Sequence, residues 1–542
     1  MTGLSTAFLP LGRPRRIIFL LILLWIGMTM GTLFLRPVIL AGEQKILSEA
    51  WWAWQTLDWF DTRNFGITGI IQLTWLVTGV AEWSARLIIP VIGLLTLWPL
   101  VSITRSLWPD EPKLPLIVGI MWFGSGAYVI YTGLISQDLL VVFLVLLLIE
   151  NQLVLAAGHT NQAYRFVKSF LILLMVFIFS GLYGLVLSLI PVLMASWVHV
   201  DRLHVKHKTY LRFTGILYIL AILLGAFIIL IAAGNQIWSK YLSLAADIKD
   251  ALIRDAVMLP FVLFPWLWWP RLWRLFRKQP YFWHQRPIIY MTLSALGVIG
   301  TIFFLPAQHF SVLIPIVPFL GVVAAKACSL LQDRQRDFHA LIPSLFLILF
   351  GIIAFLLNMI PLAHVDVVFF EMIGTGLPLW LDGFSWASGF ILLGGGYILA
   401  QISPRRFMSQ ISQLAFLPFI WGMAINIEFY FSLNKFFDTQ ITAKNIAERQ
   451  RQGQTIAVMG PYNYQFDLSS RLRVPLPALL SVQQAVDWSI KNPQGLVIMY
   501  YDGGPFLAAV PERVAWGGQY QIIFWSSAKI FATRGAVLNN YR

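Results

Sequence analysis

The chain has 542 residues, of which 58% are hydrophobic and 12% charged, with a mean hydropathy of +0.73 and a formal charge of +14. A soluble protein of that composition would expose too much apolar surface to stay dispersed, so the chain is read as a membrane protein. The basic residues sit in loops between apolar runs, which argues for membrane topology and against nucleic acid.

Apolar runs near 20 residues recur, the length that crosses a hydrocarbon core of about 30 Å. The first follows Arg13, Arg15 and Arg16 and is read as a retained helix. Spans are expected near 17–35, 86–104, 114–132, 138–157, 167–182, 184–200, 213–233, 258–272, 288–305, 310–330, 341–361, 388–402 and 411–432, about 13 in all. A tight turn between Gly181 and Gly184 separates the fifth and sixth. With the N-terminus in the cytoplasm, the cytoplasmic loops are the basic ones, Arg202–Arg212 and Arg271–Arg286 among them. An odd span number then puts the C-terminus in the periplasm.

Within the outer stretch 37–81, segment 37–66 is too polar to cross the bilayer and too apolar to float free, residues 67–81 read as a third interfacial helix or a re-entrant piece, and 235–257 reads as a second outer interfacial segment. Trp51, Trp52, Trp54, Trp59 and Phe60 suit headgroup depth, so one or two interfacial helices are expected in 37–66. From about residue 434 the composition turns polar. TIAVMG (455–460), GLVIMYY (495–501) and YQIIFW (520–525) read as strands. KIFATR (529–534) reads as a further strand pairing with the last, and VQQAVDWSI (482–490) as an amphipathic helix. The fold class is therefore an all-α polytopic membrane protein with a small α/β C-terminal domain on the outer face, divided as 1–433 and 434–542. Cys328 in an apolar run reads as a buried hydrophobe, and Gly394-Gly395-Gly396 as close helix packing.

Several matches fall in a fixed order along the chain. Arg36-Pro37 is followed by Glu43, then Leu57-Asp58-Trp59, then Glu82-Trp83 and Arg86-Leu87. Further on come Ser136-Gln137-Asp138, His309-Phe310 with Leu313-Ile314-Pro315 and Pro318, and finally Tyr464-Gln465-Phe466 with Arg471-Leu472. In order and spacing this resembles the lipid-linked-sugar glycosyltransferases of the protein O-mannosyltransferase and aminoarabinose-transferase superfamily, which have the GT-C membrane fold. The resemblance is strongest over 36–109. It departs at two positions: Gly42 stands where the family keeps an Asp, and Gly69 where it keeps a Lys.

The resemblance implies transfer of a sugar from a polyprenyl phosphate to a lipid, glycan or protein acceptor at the outer face of a bacterial inner membrane. Such a reaction needs a carboxylate to take the acceptor's proton and a cation, helix N-terminus or divalent metal to steady the leaving phosphate. Glu43 and Asp138 are the expected catalytic carboxylates. Arg63, Arg86, Lys240 and Arg254 are the expected phosphate ligands, with His309 and Tyr464 as further substrate contacts. Against these stand plainer roles: an interfacial acid for Glu43, an N-cap for Asp138, and a structural ion pair for Glu82 with Arg86. The alternative function is a catalytically silent relative that binds glycolipid or polyprenyl lipid, or acts as a membrane scaffold.

Overall fold

A computed structural model describes residues 14–34, 41–56, 65–157, 162–198, 210, 212–227, 259–278, 280–301, 313–330, 341–359, 385–401, 407–428, 440–501 except 461 and 463, 513–517 and 520–532. Two compact units emerge. The first comprises Met1–Leu33, Trp59–Gly351 and Phe390–Ala424, and the second Phe34–Asp58, Ile352–Gly389 and Ile425–Arg542. In this division the segment after the first helix, Phe34–Asp58, groups with the C-terminal residues.

The first unit is helical. Four helices among the described residues are long and apolar enough to cross a membrane, or five if the bent pair Leu114–Phe123 and Gly126–Thr132 is one span. Shorter apolar helices such as Arg286–Gly300 and Ile314–Ser329 accompany them. A break falls between the expected fifth and sixth spans: Gly181 adopts φ 60°, ψ −144°, a conformation open to glycine, and the helix kinks there. Two glycines of the triplet, Gly395 and Gly396, pack closely as expected, whereas Gly394 faces open space. A Cβ on Gly395 would lie 2.7 Å from Ile420 Cγ2, and one on Gly396 3.0 Å from the Ser344 carbonyl oxygen.

The expected span at 258–272 is not one helix. Residues 263–268 form turns, and a new helix, Pro270–Lys278, begins after them. Pro265 and Pro270 lack the N–H donors that a continuous helix needs. The opened backbone is satisfied by a neighbour: Gly126 donates its N–H to the Phe264 carbonyl at 2.7 Å, and Trp266 Nε1 donates to the Met121 carbonyl at 3.0 Å. Irregular backbone is tolerated in an apolar setting where protein supplies such partners.

The second unit contains a five-stranded sheet: β1 (Ile456–Met459), β2 (Ala478–Leu479), β3 (Leu496–Tyr501), β4 (Arg513–Gly517) and β5 (Tyr520–Ser526), in the order β2-β1-β3-β5-β4. β1 runs parallel to β2 and β3, whereas β5 is antiparallel to β3 and β4. The helix Val482–Lys491 connects β2 to β3 as expected, with Ser481 accepting from the Gln484 N–H as its N-cap. In the expected strand 529–534, the described residues 529–532 are helical instead. β5 finds its outer partner in β4, leaving Ser527–Ala532 free to form a helix whose Ile530 is buried with Ala485, Val497 and Met499.

The helix Ala41–Thr56 is held in this unit by one face. Ser48, Trp51, Trp52 and Gln55 lie at i, i+3, i+4 and i+7, so their side chains share a stripe. The Ser48 hydroxyl and Trp52 Nε1 (2.8 Å) both donate to Asp467 Oδ2, and Tyr462 Oη donates to Asp467 Oδ1 at 2.7 Å. Trp51 Nε1 and Gln55 Nε2 both donate to the Leu472 carbonyl, at 3.0 and 2.8 Å. Burial pushes the Asp467 carboxyl above its ordinary value, against the lowering effect of its three donors.

Asp467→Ala would strand three donors, at about 1–3 kcal/mol for each one left buried and unsatisfied. The thermal midpoint should therefore drop well below that of the wild type. Because the folded carboxyl holds its proton more tightly than the unfolded one, stability should decline as pH rises from the ordinary carboxylate value through the raised one. Asp467→Asn should flatten that slope, which a series of thermal midpoints against pH measures.

Candidate functional site

Glu43 lies in the first turn of the Ala41–Thr56 helix, where a carboxylate complements the helix dipole. Its side chain is 2% exposed. By helical register it shares a face with Leu47, Ala50 and Trp54, roughly 100° and more around from the Asp467-binding stripe. One face of this helix thus anchors it, and another carries the acid. A buried carboxylate is costly unless paired or used, so its position here is not that of a solvated surface acid.

Asp138 opens the helix Asp138–Ala157 in the first unit and is 8% exposed. It is the first helical residue and not the N-cap: the Gln137 carbonyl accepts the first helical bond, from the Val141 N–H at 3.1 Å. Sequence reasoning passed over its two neighbours. Both polar atoms of the Gln137 amide and the Ser136 hydroxyl are buried without a hydrogen-bond partner among the described residues. Buried polar groups normally have partners, so orphans here call for a ligand or water. The run Ser136-Gln137-Asp138 ahead of a long apolar helix was the available signal.

Arg86 is 3% exposed and does structural work. Its Nη2 forms a 2.6 Å ion pair with Glu82 Oε1, and its Nη1 donates to the Thr32 carbonyl at 2.8 Å. Thr32 lies in the last turn of the helix Pro14–Phe34, whose final carbonyls lack helical partners. A guanidinium there satisfies one of them and complements the negative helix end. The Glu82–Arg86 pair is therefore the structural ion pair, and the phosphate role expected of Arg86 competes with it. A Cβ on Gly133 would lie 3.8 Å from Thr32 Cγ2, so the Gly133–Asp138 turn and this cap occupy the same end of the first unit.

Tyr464 is 44% exposed, with φ 62°, and its ring lies 5.4 Å from that of Tyr462, the Asp467 donor. A tyrosine in left-handed backbone is uncommon, and the site tolerates it beside the buried Asp467 network. Arg63, Lys240, Arg254 and His309 lie outside the described residues, as does the 235–257 segment. Among the described residues no three His, Cys, Asp or Glu side chains gather as a metal site. Gly69, where the resembled family keeps its Lys, sits in the helix Phe65–Thr78 with open space where a Cβ would project.

No protein-family model matches the sequence, and no curated protein sequence does either. Solved structures do match. ArnT from Cupriavidus metallidurans in the apo state aligns with a TM-score of 0.68 at 13% identity, over 95% of this chain and 98% of that one. ArnT from Cupriavidus metallidurans bound to undecaprenyl phosphate aligns with a TM-score of 0.68 at 14% identity, over 94% and 97% of the two chains. At such identities the likeness carries the architecture, and the chain has the ArnT-like GT-C fold.

Proposed function

We propose that the protein is a membrane glycosyltransferase that moves a sugar from a polyprenyl-phosphate donor to a lipid, glycan or protein acceptor at the periplasmic face of a bacterial inner membrane. The observation that carries this reading is the likeness over nearly the whole chain to ArnT bound to undecaprenyl phosphate. The buried Glu43, on the segment just after the first helix, supports it.

In the proposed reaction the acceptor's nucleophilic oxygen attacks the anomeric carbon. The bond from that carbon to the phosphate oxygen breaks, polyprenyl phosphate departs, and Glu43 takes the acceptor's proton. The arm of a Glu is one methylene longer than that of the Asp missing at position 42. Asp138 is the second carboxylate for this role, with the orphaned Gln137 amide beside it to orient a hydroxyl. Since Arg86 is engaged by Glu82 and Thr32, the proposal assigns the leaving phosphate to Arg63, Lys240 or Arg254.

The silent-relative reading has its own support in Gly42 and Gly69, which remove an acid and a cation from the resembled pattern. Loss of a positioned general base typically lowers a rate by about 10²–10⁴-fold. Glu43→Gln should lower sugar transfer by that much while leaving polyprenyl-phosphate binding unchanged. Transfer that survives Glu43→Gln but fails in Asp138→Asn moves the base to Asp138. A wild-type protein that never transfers sugar, yet gains transfer on Gly42→Asp with Gly69→Lys, establishes the silent relative.

The proposed topology has 13 spans with the N-terminus in the cytoplasm. Reporter fusions at Asn161 and Arg336 should read as cytoplasmic, and those at Lys249 and Gln465 as periplasmic. A cytoplasmic signal from Gln465 overturns both the span count and the outer placement of the C-terminal domain.

A further inference from the structure

The second unit holds a cavity of about 1410 Å³ that the residues discussed so far do not explain. Three arginines line it, Arg451, Arg471 and Arg473, together with three tryptophans, Trp51, Trp54 and Trp488. No carboxylate lines it among the described residues. Three like charges on one concave wall repel one another, and their field favours an anionic occupant.

The wall is built in a specific way. Asp467–Ser470 is a single helical turn that ends at Arg471 in left-handed backbone, φ 49°, ψ 51°. The Leu472 N–H then donates to the Asp467 carbonyl at 3.0 Å, and Leu472 is 1% exposed. With Leu472 turned inward, the exposed Arg471 and Arg473 on either side are presented together. Arg451 ends the helix Gln440–Arg451 and is likewise exposed. Ser470 lines the same cavity, is 6% exposed, and has no hydrogen-bond partner for its Oγ among the described residues. A buried hydroxyl without a partner beside three guanidinium groups is an independent sign of an absent ligand.

The remaining lining identifies the chemistry. Trp54 and Trp488 are half-buried, offering partly accessible indole surface. The side-chain amides of Gln454 and Asn492 add neutral donors and acceptors. The volume far exceeds that of a lone oxyanion and is larger than the roughly 300–1,000 Å³ of sites for drug-sized ligands, room enough for several linked rings. Flat aromatic surface, amides and guanidinium forks together fit a ring-shaped, hydroxylated molecule that carries carboxylate or phosphate groups.

We propose that this cavity binds an acidic saccharide, its oxyanions held by Arg451, Arg471 and Arg473 and its rings laid against Trp54 and Trp488. The site is separate from Glu43. Trp54 stands 11 residues further along the same helix, about 16 Å along its axis at 1.5 Å per residue. The proposal does not depend on the transferase reading.

The test is calorimetric titration of the full-length protein in lipid nanodiscs with four probes: an oligogalacturonate trimer, glucose 6-phosphate, maltotriose and inorganic phosphate. The trimer or the sugar phosphate should bind at least tenfold more tightly than both maltotriose and inorganic phosphate, and whichever does so identifies the oxyanion. Arg451→Ala and Arg473→Ala should each weaken that binding about tenfold with an unchanged thermal midpoint, since both side chains are exposed. Binding should also weaken as salt rises. Glu43→Gln should leave it unaltered, so a failed transferase reading and a failed cavity reading give different results. The proposal is overturned if maltotriose or inorganic phosphate binds as tightly, if none of the probes binds, or if both arginine variants behave as wild type.

Discussion

One buried carboxylate organises the second unit. Asp467 accepts from Ser48, Trp52 and Tyr462, and through the first two it fixes the register and rotation of the helix that follows the first apolar run. A helix presents a different set of side chains every 100° of rotation, so fixing one stripe decides what every other stripe can reach. The anchored stripe leaves Glu43 buried on another face and sets Trp51 and Trp54 in the wall of the basic cavity. The same short turn that supplies Asp467 ends at Arg471, so anchor and cavity share a backbone. Burial keeps the proton on Asp467 to higher pH, yet the three donors make the site specific for an oxygen acceptor.

The first unit handles charge differently. Three of its buried charged residues have charged partners within 4 Å. Arg86 is matched by Glu82 and by a helix-end carbonyl, and Lys326 by Glu111. Glu150 lies within 3.7 Å of Lys168 and 3.9 Å of Arg165. Local pairing follows from the cost of an isolated charge in an apolar setting. It also limits what Arg86 can do: pulling the guanidinium toward a phosphate would release both Glu82 and the last turn of the first helix. The orphaned Gln137 amide and Ser136 hydroxyl contrast with this economy, because nothing among the described residues satisfies them.

Much of the architecture was legible in the chain itself. Apolar runs announce membrane helices because bilayer thickness imposes a length, and Gly395, Gly396 and Gly181 announce close packing and a helix break because glycine lacks a Cβ. The ordered matches from Arg36 to Arg471 led to the GT-C fold even though overall identity to the matching structures is 13–14%. What misled was local. An apolar stretch at 258–272 reads as a helix until Gly126 and Met121 are seen to satisfy its opened backbone. KIFATR reads as a strand until β4, a short run with little periodicity, takes the edge it would have used.

The sequence by itself determined the class of solvent the chain folds in, the order of most of its apolar helices and three of its strands, and the presence of an acid just after the first helix. Those follow from composition, period and position, which are properties of neighbouring residues. Only the tertiary structure decided that Arg86 caps a helix 54 residues away, that Ser48 and Trp52 meet Asp467 more than 400 residues later, and that three arginines line one cavity with no acid among the described lining residues. Side-chain partners at such separations depend on how helices and strands are brought together in space, and no local pattern of residues encodes that meeting.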